Sequence, residues 1–134
     1  MPNLNVYLLE GHSDAQKETL LARLTDAVVD SIAAPKASVR IFLIELPLAH
    51  VSVGGVSLAA AARAGDPVPA GGPTVHVFLI AGRSEAAKEV LIGRHTGVIG
   101  EVLDVPPAPV RIMIFDVANT DFGMEGKTAR AMGR

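Results

Sequence analysis

The chain has 134 residues and a mass of 13.9 kDa, room for one domain or two fused half-domains, but not for two ordinary independent domains. Fourteen acidic against twelve basic side chains give a net charge of −2 with no run of Lys or Arg, which excludes a nucleic-acid footprint. Cysteine is absent, so disulfides, thiolate nucleophiles and Cys-ligated metals are excluded together.

Residues 3–9 place Leu4, Val6 and Leu8 at period two and predict a strand. Ser13 follows as a helix cap, with Gln16 three residues on as its capping-box partner and Asp14 favourably placed on the helix dipole. A helix is predicted from about residue 14 to 33, carrying Leu20, Leu21, Leu24, Ala27, Val28 and Ile32 as one apolar stripe, and Pro35 ends it. Residues 39–46 form a second strand, and the glycine-containing stretch 50–55 a small edge piece. Residues 64–72, Ala-Gly-Asp-Pro-Val-Pro-Ala-Gly-Gly, have the composition of a linker.

The pattern then recurs. Strand 74–80 carries Val75, Val77 and Leu79; Ser84 caps a helix with the stripe Val90, Leu91, Ile99 and Leu103; Pro106-Pro107 stops it; strand 110–117 and edge piece 121–126 complete the copy. Residues 2–63 fall on residues 73–134 without a gap at an offset of 71. Roughly 19 of the 62 aligned positions are identical, far above chance, so the chain is two copies of one β-α-β unit. Strands joined through a helix pair in parallel, which predicts an α+β fold: a four-stranded mixed sheet with two helices on one face. The strands are apolar at both parities, as in Val75, Val77 and Leu79 against Phe78 and Ile80. The second sheet face therefore requires a partner, and with a mean hydropathy of +0.37 an oligomer is expected. No apolar stretch approaches the roughly 18 to 20 residues of a membrane span, and the start Met1-Pro2-Asn3-Leu4 lacks a basic region followed by an apolar one, so a cytoplasmic location is expected.

Pro2 stands out chemically. Methionine followed by a small residue is commonly trimmed, which leaves a secondary amine at the mouth of the first strand. At an ordinary pKa near ~8 that amine is mostly protonated at neutrality, and burial or adjacent arginines are needed to make it a base. Other features carry less. His12-Ser13-Asp14 holds the letters of a hydrolase triad, but sequence neighbours do not face one another, and Ser13 is occupied as a cap. His50, His76 and His95 have no metal-ligand spacing, and Gly123 to Lys127 lacks the spacing of a phosphate loop.

As a set, Pro2-Asn-Leu-Asn-Val-Tyr-Leu-Leu-Glu10-Gly11-His-Ser-Asp-Ala-Gln-Lys17, Ala37-Ser-Val-Arg40-Ile41, His50, Gly54-Gly55, Gly82-Arg83-Ser84 and Asp121-Phe122-Gly123 resemble the tautomerase superfamily, specifically 4-oxalocrotonate tautomerase in a fused, two-copy form. The resemblance implies that Pro2 is the general base of a cofactor- and metal-free enol–keto tautomerase acting on small carboxylates. Arg83 after the first loop glycine is then catalytic, with Phe122 and a strand arginine, Arg40 or Arg111, binding substrate. In the family that strand arginine comes from a neighbouring subunit; read without the resemblance, Arg40 and Arg111 are surface ion-pair residues at strand starts.

Copy one has His12 and Val51 where copy two has Arg83 and Phe122, while Pro73 lies inside the chain, where its nitrogen is an amide and cannot act as a base. One complete site is therefore expected, from Pro2, Arg83 and Phe122, and one dead site around Pro73. Six units in single-copy members imply a homotrimer here. The resemblance also admits hydration, dehalogenation or decarboxylation of three-carbon acids. Against these, Glu125 stands beside, not at, the place for a water-directing glutamate, which Met124 occupies, and Ala37 and Ser38 stand where an aspartate would be needed. A non-catalytic trimeric scaffold is the remaining alternative.

Overall fold

A computed structural model describes residues 1–67 and 71–134; residues 68–70 of the predicted linker lie outside the described residues. Copy one comprises β1 (Asn3–Leu9), α1 (Asp14–Ile32), β2 (Arg40–Leu46), a hairpin of β3 (Ser52–Val53) and β4 (Val56–Ser57), and α2 (Leu58–Arg63). Copy two comprises β5 (Thr74–Ile80), α3 (Glu85–Leu103), β6 (Arg111–Val117) and a hairpin of β7 (Gly123–Met124) and β8 (Lys127–Thr128).

Each helix begins where its cap predicts. Ser13 Oγ accepts from the Gln16 amide at 3.1 Å while Gln16 Oε1 accepts from the Ser13 amide at 3.0 Å, so two otherwise unpaired donors are satisfied reciprocally. Ser84 Oγ accepts from the Ala87 amide at 3.2 Å, and alanine there cannot return the bond. Helix α1 ends one residue earlier than predicted because Ala33 turns into the left-handed region at φ 53°. Helix α2 was not anticipated from the pattern. Ser57 caps it by accepting from the Ala60 amide at 3.0 Å, the alanine-rich run favours a helix, and Leu58 and Ala61 bury one side of it. In copy two Thr128 caps in the same way, but Gly133 at φ 77° ends the segment after one tight turn.

The sheet order is β2-β1-β5-β6, parallel within each copy and antiparallel between β1 and β5. Asn5 pairs with His76, its equivalent in the other copy, so the local twofold relating the copies passes through that pair. Both long helices cover one sheet face. Leu4, Val6, Leu8, Val75, Val77 and Leu79 point into that layer and meet Leu20, Leu24, Val28, Leu91, Ile99 and Leu103. Across the helix pair, Arg23 bonds Glu101 and Arg94 bonds Asp30, one contact repeated by the twofold. The other sheet face is open and apolar: Phe42 is 54%, Met113 43% and Phe115 40% exposed. At its centre His76 lies edge-on to Tyr7 and Phe115, with ring centroids 5.0 and 5.3 Å away. No described helix is long and apolar enough to cross a membrane.

One core residue departs from the pattern. His95 takes the place that Leu24 holds in copy one, and both are fully buried. Its Nδ1 lies 2.8 Å from the Leu91 carbonyl oxygen, while among the described residues Nε2 has no partner. Burial pushes the imidazole from 6.5 down to about 4. The unfolded chain therefore takes up this proton as pH falls through 6.5, the folded chain only near 4, and stability is lost across that window. Acidification from pH 7 to 4.5 is expected to cost about 2–3 kcal/mol through this group alone. His95→Leu should abolish that contribution and raise stability at neutral pH by roughly 1–2 kcal/mol through removal of an unpaired buried nitrogen. Denaturant titrations of both proteins at the two pH values check this; parallel acid losses would refute it.

Candidate active site

The antiparallel pairing of β1 with β5 decides where the candidate residues meet. Asn3 lies opposite Phe78, so the start of copy one sits beside the end of β5 and the loop that follows it. Arg40, the first residue of β2, pairs with Asn3, and Val117, the last of β6, pairs with Ile80. One end of the sheet thus collects the amino terminus, Arg40, the Gly82-Arg83 loop and the segment after β6. A cleft of about 840 Å³ opens there, lined by Asn3, Arg40, Arg83, Phe122, Met124 and Arg134 among others.

Pro2 is buried, its carbonyl accepts from the Arg40 amide at 3.0 Å, and it lies between Met1 and Asn3, which line the cleft, without lining it itself. Met1 lines the cleft. Burial, then Arg134 and Arg40, hold its terminal ammonium below the ordinary value of 8.0, since low-dielectric surroundings and like charges both penalise the cation. Gly82, at φ 121°, makes the turn that presents Arg83, a conformation that side-chain-bearing residues rarely adopt. The Arg83 guanidinium donates to the Ile32 carbonyl, one of the carbonyls left open at the end of α1. Phe122 is positioned through its backbone, whose carbonyl accepts from Ala129 at 2.8 Å as the β7–β8 hairpin closes.

Arg111 lies at the other end of the sheet. Its amide donates to the Pro73 carbonyl at 3.1 Å, mirroring Arg40 and Pro2, and its side chain turns back onto the Ala108 and Val110 carbonyls at 2.5 and 3.1 Å. The structure therefore brings Pro2, Arg40, Arg83 and Phe122 to one end within a single chain and leaves Arg111 apart. At the Pro73 end the linker packs inward. A Cβ on Gly72, the counterpart of Met1, would stand 2.5 Å from the Pro109 carbonyl carbon, so only glycine fits.

Two lining residues escaped the sequence reading. Asn3 brings a buried side-chain oxygen with no partner among the described residues. Arg134 brings a third guanidinium, and the available signal was its identity with Arg63 in the repeat. Among the described residues no carboxylate side chain lines the cleft, and none of its three arginines takes part in an ion pair. Such a site favours anions and opposes protonation of an amine placed within it.

The family model described as tautomerase enzyme matches residues 2–61 and again residues 73–132. A 2-hydroxymuconate tautomerase of Stutzerimonas stutzeri is 43% identical over 63 residues, covering 47% of this chain and all of that protein. The crystal structure of a native fused 4-OT superposes with a TM-score of 0.90 at 48% identity, covering 99% of this chain and 100% of that one. A second fused 4-OT, solved as an asymmetric trimer, gives 0.87 at 43% identity over 99% of this chain and 100% of its own. Matched once in each half and along nearly its whole length, the chain belongs to the tautomerase family of isomerases as a member with two copies of the unit.

Proposed function

We propose that the protein interconverts enol and keto forms of small 2-keto acids, with the nitrogen of Pro2, freed by removal of Met1, as general base. The observation that carries this reading is the meeting of the amino terminus, Arg40, Arg83 and Phe122 in one cleft that, among the described residues, no carboxylate side chain lines. The base takes the proton from the enol hydroxyl as electrons move towards the chain carbon, and the ammonium so formed returns it to that carbon. One proton moves, no electron is transferred, and the atoms balance. Negative charge develops on the 2-oxygen, where a guanidinium fixed beforehand is worth most. Arg83 and Arg40 supply that contact and the fork that holds the adjoining carboxylate, and Phe122 excludes water. Arg111, turned to the opposite end, belongs in this reading to the inactive site around Pro73.

Hydration or dehalogenation needs an acidic group to direct water. Met124 stands in the cleft where that group would be, and this favours tautomerisation. The open face of Phe42, Met113 and Phe115 suits a trimer in which three sheets close on a common centre, as the trimeric fused 4-OT neighbours suggest. The test is ketonisation of 2-hydroxymuconate and phenylenolpyruvate followed by ultraviolet absorbance. Acceleration over buffer with at least one is expected; none with either overturns the proposal.

A further inference from the structure

We propose that His76 of three chains forms a three-imidazole site for a divalent transition-metal ion at the centre of the trimer. This rests on the trimer reading and not on the catalytic one. Among the described residues of a single chain no group of three or more His, Cys, Asp or Glu could hold a metal, so the ligands meet only on assembly. Both long helices lie on one sheet face, so the twofold relating the copies runs perpendicular to the sheet and leaves the open face at the Asn5–His76 pair. With six units arranged equivalently, the three local twofolds meet on the trimer axis, and that pair is what each chain places nearest it. Turning one chain over about its own twofold exchanges its copies and leaves the same pair at the centre. The site therefore does not depend on which way round each chain faces.

His76 alternates with the buried Val75 and Val77, so its ring stands on the open face, between Tyr7 of β1 and Phe115 of β6. Strands lie about 4.8 Å apart, so twelve of them closed into a triangular or round section keep the central strands roughly 6–9 Å from the axis. Imidazoles reaching roughly 4–5 Å inwards from there end about 2–5 Å from it, and the near limit matches a zinc–nitrogen bond of about 2.0–2.1 Å. Among the described residues of the four strands no carboxylate competes on this face: Glu45 and Asp116 alternate to the helix side, where Lys17 and Lys88 pair with them at 2.6 Å. Donors that are all neutral ring nitrogens select zinc, nickel or copper over calcium and magnesium, which need oxygen ligands, and leave a fourth position for water. Histidine spacing along the chain could not reveal such a site, because each chain contributes one ligand.

Full-length, untagged wild type, His76→Asn and the double variant His12→Gln with His50→Gln are to be compared by light scattering for mass and by calorimetric titration with zinc chloride and magnesium chloride. Asn is the residue copy one has at the equivalent position, so His76→Asn keeps a polar side chain at the centre. Wild type and the double variant are expected to bind about one zinc ion per three chains and no magnesium, and His76→Asn to lose that saturable binding. Zinc should raise the thermal midpoint of wild type and leave that of His76→Asn unchanged. Cobalt(II) should give wild type the intense visible absorption of a tetrahedral nitrogen site at the same ratio, a readout that needs no variant. No saturable zinc binding by a wild-type trimer, about one ion per chain, or zinc binding retained by His76→Asn would overturn the site. A wild-type mass other than three chains would overturn the trimer reading and this site together, and leave the tautomerase reading to its own test.

Discussion

A chain with an uncleaved residue ahead of Pro2 loses roughly 10²- to 10⁴-fold in kcat/KM for ketonisation, the usual worth of a positioned general base, because its proline nitrogen is an amide without a usable lone pair. Pro2→Ala, which retains a terminal amine after trimming, loses less. This ranking separates loss of the base from loss of the ring. The pH profile carries a second signature. The Met1 ammonium is held below its ordinary value by burial, followed by Arg134 and Arg40, and on the proposed trimming the Pro2 nitrogen is expected to meet the same groups. A base with a lowered pKa is neutral at lower pH, so kcat/KM should rise with pH through a midpoint below that of a free terminal amine and then level off. An extended chain with the parent's rate would remove Pro2 from the mechanism. Steady-state rates between pH 5 and 9, with the intact mass of each preparation to establish the state of its terminus, make the measurement.

Arg83→Ala is expected to cost about 10²- to 10³-fold, the effect of removing one fixed donor to a developing oxyanion. Arg83→Lys should recover little, since an ammonium cannot bridge the Ile32 carbonyl and a substrate oxygen as a planar fork does. Arg111→Ala, at the far end of the sheet, should stay within about threefold, in the range of surface substitutions. A loss comparable to that of Arg83→Ala would instead show that Arg111 of a neighbouring subunit reaches the pocket. Grafting Arg at His12 and Phe at Val51 should not create a second active site. Pro73 keeps its peptide bond whatever surrounds it, and the Gly72 backbone packs against Pro109 where the Pro2 end of the sheet keeps a cleft.

Local order was legible in the residues. Period-two apolar alternation marked β1 and β5, Ser13 and Ser84 marked the helix starts, and the offset between the copies marked the repeat, because each depends on neighbours within a few positions or on direct comparison. Helix α2 was missed: its pattern is too short for periodicity, and its stability comes from burial of Leu58 and Ala61. The site divides in the same way. That Pro2 can carry a free amine, that Pro73 cannot, and that Arg83 and Phe122 have lost their counterparts in His12 and Val51 are properties of residue identity alone. Which strand arginine shares an end with Pro2 was decided by the antiparallel joining of β1 to β5, a contact between residues about seventy positions apart that no local pattern encodes. The same pairing separates Arg40 from Arg111, and the turn at Gly133 delivers Arg134, because charge in a cleft is set by which chain segments converge there and not by their order along the chain.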